Sequence, residues 1–299
     1  MRREQKREVM RMERVMLCQK GDWGSFPQGP NWIFEPKLDG IRLLSAKVGE
    51  EVKLVGRSGE DYTSKFPEIA ADLRTYPDDF ILDGELCSES GDFRELAGRV
   101  HLTDPFKISL RAQVDPAVYH AFDLLGLNGK YLVKLPLRER KRGLEALGER
   151  GRVRIVRPQP LEELVRLVKE QRIEGIVAKD LDSPYVLERS PSWRKFRPAE
   201  SFDLPVIGYE TSAKPDRPFR SLILLWRGRE LQAASGLGEK ELRQAFERFR
   251  TAQVVRVTRE GGREKRYFAS PLGQAEVVFT STPNLPVRFP RVVRLKWDR

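Results

Sequence analysis

The sequence predicts an α+β fold in two parts, a larger domain of strands with flanking helices over residues 1–200 and a small β-barrel over residues 201–299. Short apolar strand-like runs recur through the first part and alternate with a few helical stretches. After Pro198 the pattern changes to strands separated by glycine and proline turns. The third observation is bulk: 39% apolar residues in a chain of 299 suffice for two ordinary cores.

The opening Met1-Arg2-Arg3-Glu4 runs into more charged residues rather than an apolar segment, so no secretory signal is expected, and Glu4 to Met16 reads as a short charged helix. The next strong signal is Glu35-Pro36-Lys37-Leu38-Asp39-Gly40-Ile41-Arg42, flanked by apolar Trp32-Ile33-Phe34 and Leu43-Leu44. It reads as two strands joined by a turn at Asp39-Gly40, with Lys37 at a strand end. A lysine held near other cations and away from water can lose its proton near neutral pH and become a nucleophile. The bland alternative is an exposed hairpin with an ordinary turn.

Val52 to Val55 alternates and ends in Gly56-Arg57-Ser58-Gly59, with a helix from Pro67 to Arg74. Arg57 offers a planar fork suited to phosphate or ribose oxygens, though most turn arginines are simply solvated. In Phe80-Ile81-Leu82-Asp83-Gly84-Glu85-Leu86 the two carboxylates share one face of an apolar strand by period two. Burying them is costly without a cation or hydrogen bonds, and a divalent metal or a ribose hydroxyl would serve; an edge strand with a wet face would need neither. Val118 to Leu125 is another apolar run, broken by Asp123, in which Phe122 could lie against a flat base or simply fill the core. Leu135 to Leu147 and Leu161 to Gln171 read as amphipathic surface helices. Glu174 to Lys179 frames a short apolar strand with opposite charges, and in Trp193-Arg194-Lys195-Phe196-Arg197 the residues Lys195 and Arg197 point the same way. Several strands thus each deliver one or two charges to what could be a single nucleotide cleft.

Beyond Pro198, strands are expected at Leu204 to Glu210, Ser221 to Arg227, Glu230 to Ser235, Val254 to Thr258 and Glu276 to Thr280, with a helix at Glu239 to Arg250. Five strands and a helix in about a hundred residues suit a Greek-key barrel of the OB type.

Composition narrows the function classes. No run approaches the roughly 18 to 20 apolar residues of a membrane span. Cys18 and Cys87 have no metal spacing, and His101 and His120 cannot build a His-rich site, so a reduced, cytosolic protein with both cysteines as filler is expected. Lys plus Arg number 55 against 44 acids, a net charge of +11 spread along the chain, which points to a nucleic acid.

Together the motifs resemble the covalent nucleotidyltransferase superfamily and, within it, the ATP-dependent DNA ligases. The family's K-x-D-G-x-R stands as Lys37 to Arg42, its second motif as Gly56-Arg57-Ser58-Gly59, D-G-E as Asp83-Gly84-Glu85, F-D-x-L as Phe122 to Leu125, and E-G-x-x-x-K as Glu174 to Lys179. The fifth motif is Trp193 to Arg197, with arginine for the usual second lysine, and the last runs from Arg288-Phe289-Pro290-Arg291 to Arg299, where Trp297 and Arg299 depart from the pattern. Six or seven motifs in order are very specific; one would not be.

The resemblance implies a nucleotidyltransferase (adenylation) domain of antiparallel sheets with flanking helices, followed by an OB-fold barrel. It implies that Lys37 attacks the α-phosphorus of ATP, forming lysyl-AMP; AMP passes to the 5′-phosphate of a nick, and the 3′-hydroxyl displaces it. By the same likeness Glu35 lies near the adenine, Phe122 stacks on it, Arg42 and Arg57 hold ribose and phosphate, Lys179 and Lys195 meet the α-phosphate, and Arg189 is a further nucleotide contact. Glu85 and Glu174 hold Mg²⁺, with Mn²⁺ an alternative. A swing of the barrel brings Arg294, Lys296, Asp298 and Arg299 to the pyrophosphate. Residues 1–36 are too few for the DNA-encircling domain of larger members, so the compact plan looks like the ligase module of prokaryotic end joining. Expected partners are nicked or broken duplex DNA, with Ku and end-joining polymerase and nuclease proteins, for a monomer in the cytoplasm at the nucleoid. The alternatives are an RNA ligase or capping guanylyltransferase, which share the lysine chemistry, and a catalytically idle DNA-binding module.

Overall fold

The computed structural model describes residues 15–91, 93–170, 172–198, 200–214, 217–282 and 285–297. Chain contacts divide it into two units, one through Arg197 and one from Pro198.

The first unit is built on two sheets. One has the order β1 (Leu17–Lys20), β10 (Arg189–Phe196), β9 (Gly175–Asp180), β2 (Trp32–Lys37). The other runs β4 (Glu51–Gly56), β3 (Ile41–Val48), β5 (Phe80–Ser88), β6 (Ala117–Leu127), β7 (Lys130–Tyr131), with β8 (Val153–Ile155) beside β6. Period-two alternation assigns the faces of the larger sheet. Leu43, Leu82 and Leu124 pack on one side with Ile69 and Leu73 of helix α1 (Pro67–Arg74). Their neighbours Leu44, Ile81 and Leu125 pack on the other side with Trp193 and Tyr185. The far face of the smaller sheet, through Ile176, Ala178 and Phe196, is covered by Leu164 and Val168 of helix α5 (Leu161–Lys169). The helices between these two are α2 (Phe93–Val100), α3 (Pro105–Val114) and α4 (Leu137–Leu147).

The hairpin expected at Asp39-Gly40 does not form. β2 pairs antiparallel with β9, whereas β3 pairs with β4 and β5, so residues 37–41 cross from one sheet to the other. Gly40 is required by a close approach: a Cβ there would lie 2.1 Å from the Leu86 carbonyl oxygen. Gly175 has the same role on the smaller sheet, where a Cβ would lie 2.3 Å from the Phe196 carbonyl oxygen.

The helix expected over Leu135 to Leu147 is present as α4, but it is not a surface helix throughout: Arg140 is fully buried and pairs with Asp123 through two hydrogen bonds of 2.9 and 3.0 Å. Of the expected helix from Glu4 to Met16, residues 4–14 lie outside the described residues; Val15 and Met16 are buried and non-helical.

In the second unit β11 (Glu200–Thr211), β12 (Phe219–Trp226), β13 (Arg229–Ser235), β17 (Leu285–Lys296) and β16 (Gln274–Thr282) pair in a ring, because β11 returns to β12, and close a five-stranded OB-like barrel. Helix α6 (Glu239–Thr251) buries Ala245 and Phe249 in it, with Phe249 stacked on Tyr209 at 5.5 Å. The run Val254 to Thr258, expected as a barrel strand, belongs instead to a hairpin of β14 (Val254–Glu260) and β15 (Arg263–Phe268) that extends from β11; β17 takes its place in the ring.

Candidate active site

A cleft of about 270 Å³ lies in the first unit. The eight residues expected to touch a nucleotide line it, Glu35, Lys37, Arg42, Arg57, Phe122, Lys179, Arg189 and Lys195, and so does Glu85, one of the two expected metal holders; Glu174, the other, is not among the lining residues. Register explains the convergence. On the smaller sheet Lys37 is opposite Gly175, Lys179 opposite Trp193, and Lys195 opposite Val177, so β2, β9 and β10 deliver their cations side by side. On the larger sheet Arg42 is opposite Glu85 and Leu44 opposite Asp83, which puts these charges on the side that packs toward the smaller sheet.

Lys37 donates to Glu174, and its amine lies 3.3 Å from the Leu38 carbonyl. The other Glu174 oxygen is 2.5 Å from Arg197, a cleft-lining residue absent from the sequence-derived site although its direction beside Lys195 is legible. Burial lowers the pKa of Lys195, and Arg197, Lys37 and Arg189 push it the same way. Lys37 and Arg197 share the one Glu174 carboxylate, and among the described residues no carboxylate pairs with Lys195 or Arg189, so the cluster keeps an excess of positive charge that suits a phosphate chain.

At the other end Glu35, 2% exposed, is clamped between Lys141 on one oxygen and Lys179, 2.6 Å away, on the other. Burial alone would raise the Glu35 pKa, but Lys141 and then Lys179 outweigh it, and the net shift is downward. One carboxylate cannot balance two ammonium groups, so burial also lowers the pKa of Lys179 despite Glu35. Lys179 is further held over the rings of Trp193 at 4.2 Å and Phe122 at 4.3 Å. Lys141 was missed from sequence, yet a signal exists: on a helix, Arg140 and Lys141 fall three and four residues after Leu137 and four and three before Leu144, on the apolar face.

Asp83 and Glu85 do share a face, but they are not equivalent. Asp83 is fully buried and accepts from Arg42 at 2.9 and 2.6 Å and from the Tyr185 hydroxyl at 2.7 Å. Burial disfavours the Arg42 charge, and Asp83 more than offsets it, so the Arg42 pKa is raised. Asp83 is therefore satisfied by protein groups. Glu85 is not: among the described residues no lysine or arginine pairs with it, and burial pushes its pKa up to about 7 against the pull of Lys37 and Arg42. A half-buried carboxylate with no ion-pair partner among the described residues, close to a second carboxylate at Glu174, fits a cation that takes one or two protein carboxylates and fills its shell with water and phosphate oxygens, as Mg²⁺ does. No group of three or more metal-ligating side chains occurs among the described residues.

Arg57 stands exposed at the rim, just past β4. Arg189 donates to the Cys18 carbonyl, and Cys18 itself lines the cleft. Asp298 and Arg299 lie outside the described residues. In the second unit Arg294 pairs with Glu276 at 3.0 Å and Lys296 with Asp203 at 2.7 Å. The unusual Trp297 packs on Phe249 at 6.0 Å with the Arg248 guanidinium 4.8 Å over its ring.

A family model described as ATP dependent DNA ligase domain matches residues 15–197. A protein of Streptomyces coelicolor named "Probable DNA ligase" is 36% identical over 190 residues, which cover 59% of this chain and 37% of that protein. The chain thus spans little more than a third of that relative's length. Among solved structures, a mycobacterial DNA ligase D complexed with ATP and MES is 25% identical with a TM-score of 0.53, covering 96% of this chain and 95% of that one. A Lig E DNA ligase is 18% identical with a TM-score of 0.68, covering 94% and 98%, a likeness of fold. No helix among the described residues is long and apolar enough to cross a membrane.

Proposed function

Because the chain belongs to the ATP-dependent DNA ligase family, we propose that it seals nicks in duplex DNA through AMP carried on Lys37. The observation that supports this most is the convergence of Lys37, Arg42, Glu85, Phe122, Lys179 and Lys195 from separate strands on one cleft. Lys37 Nζ bonds to the α-phosphorus of ATP while the bond from that phosphorus to the bridging oxygen breaks and pyrophosphate leaves. The nick's 5′-phosphate then takes AMP from Lys37, and the 3′-hydroxyl displaces AMP as the strand closes. Each step is an in-line phosphoryl transfer, in which position and charge neutralisation supply the catalysis.

In this reading Glu35 and Phe122 receive the base, Arg42 and Arg57 the ribose and phosphates, and Lys195, with Arg189 and Arg197, the phosphate chain. Lys179 belongs with Lys195 on the α-phosphate, which requires its amine to leave Glu35. Glu85 and Glu174 would hold Mg²⁺, or Mn²⁺ in its place, whose charge counters that of the phosphates. Asp298 and Arg299 assist pyrophosphate departure. The adenylation domain comprises 1–200 and the OB domain 201–299. The protein acts as a cytoplasmic, nucleoid-associated monomer on nicked or broken DNA, in end joining with Ku and its polymerase and nuclease partners.

Incubation with α-labelled ATP, beside α-labelled GTP, tests the chemistry. ATP label should appear on the wild type and not on Lys37→Ala, while the variant still partly joins a pre-adenylated nick. Label from GTP alone would instead indicate a guanylyltransferase, and sealing confined to an RNA-containing duplex an RNA ligase. Absence of any label would indicate the DNA-binding module.

A further inference from the structure

The geometry points to Lys141 as a positioning residue that sets base selectivity: it fixes the Glu35 carboxylate as a hydrogen-bond acceptor at the base end of the cleft, so that adenine is taken over guanine. This rests on the preceding reading that the cleft holds a purine nucleotide with its base beside Phe122. Lys141 ties three elements together. Its amine meets Glu35 Oε1 on β2, lies 3.4 Å from the Phe122 carbonyl on β6, and 2.6 Å from the Val156 carbonyl just after β8. The preceding residue, Arg140, secures Asp123, the neighbour of Phe122. One turn of α4 therefore places both the ring and the carboxylate.

The consequence for recognition follows from donors and acceptors. At the 6-position of the purine, adenine carries an amino group and guanine an oxygen. An ionised carboxylate only accepts, so it welcomes the amino group and repels the oxygen. A protonated carboxyl also donates and tolerates either base. Glu35 is 2% exposed, and the charged groups around it are Lys141 from α4 and Lys179 from β9. Lys179 is also engaged with the Phe122 and Trp193 rings and has its own pKa lowered by burial, which leaves Lys141 as the steadier counter-charge. Removing it leaves a buried carboxylate whose charge burial then opposes.

The test is label transfer to the full chain from α-labelled ATP and GTP, measured as rate over KM for each nucleotide in wild type, Lys141→Met and Lys141→Arg. Lys141→Met should lower the ATP-to-GTP preference by about tenfold or more, the scale of one hydrogen bond to a charged group. Lys141→Arg, which keeps the charge, should keep the wild-type preference. Lys141→Gln, closer in length and polarity, replaces the Met variant if that one does not fold, as judged by its melting curve. Equal losses for both nucleotides, with the preference unchanged, would overturn the proposal, because a merely structural role predicts that result. A preference lost in Lys141→Arg would overturn it as well. If the wild type takes no label from ATP, the reading of the cleft fails, and this inference fails with it.

Discussion

Glu85 is a cleft carboxylate that no lysine or arginine pairs with among the described residues. Burial lifts its pKa from 4.5 to about 7, so the folded chain binds this proton more tightly than the unfolded chain does. The contribution to stability is therefore greatest below the unfolded pKa and is lost as pH rises from 4.5 to 7. Glu85→Gln, with no proton to lose, should raise the melting temperature of the metal-free chain at pH 8 by an amount equivalent to roughly 1–3 kcal/mol and change little at pH 4.5. Melting curves at the two pH values check this; a difference that does not grow with pH would sink it. The same variant should lose ATP labelling, so that stability and activity move in opposite directions. Its neighbour Asp83 makes the reverse case: Asp83→Asn at a fully buried site would leave Arg42 short of its counter-charge and should destabilise by about 3–5 kcal/mol, read as a drop in denaturant midpoint.

Among the elements, the crossing at residues 37–41 carries the most risk. Gly40→Ala places a methyl group 2.1 Å from the Leu86 carbonyl oxygen, and because backbone meets backbone there, β3 and β5 must part. A loss of about 2 kcal/mol or more is expected, together with loss of labelling. An alanine variant with wild-type melting would contradict the close-approach account. This position also marks where the sequence was readable and where it was not. The apolar runs of β3, β5, β6 and β9 were plain, and their charged interruptions identified the cleft residues one by one. An Asp-Gly pair between two apolar runs, however, looks the same whether it turns a hairpin or threads between sheets, since only the partner strands distinguish the two, and these are distant in sequence. β15 was hidden for another reason: Arg263 to Arg266 are charged and partly exposed, so no alternation announces a strand that is held by pairing to β11 and β14. Lys141 was overlooked because a lysine on an Arg-rich helix normally faces water, and its position on the Leu137 and Leu144 face was outweighed by composition.

For the molecule as a whole, the charge of +11 sets how it should meet a polyanion. Affinity for a nicked duplex should fall at least about tenfold between 50 and 200 mM salt, as counterion release demands even for a few phosphate contacts. A flat salt profile in a filter-binding or anisotropy titration would argue against a phosphate-dominated interface. Within the first unit, Lys37 and Glu85 stand on separate sheets, joined near the cleft by the short run that begins at Lys37 itself. A molecule that grips both plates works like a rivet: base, sugar and phosphates in one piece fasten strands that the chain alone leaves merely stacked. Fragments of that molecule, supplied as free base and free pyrophosphate, fasten nothing across the seam, so the intact triphosphate should tighten amide exchange in β2 and β5 together where its pieces do not.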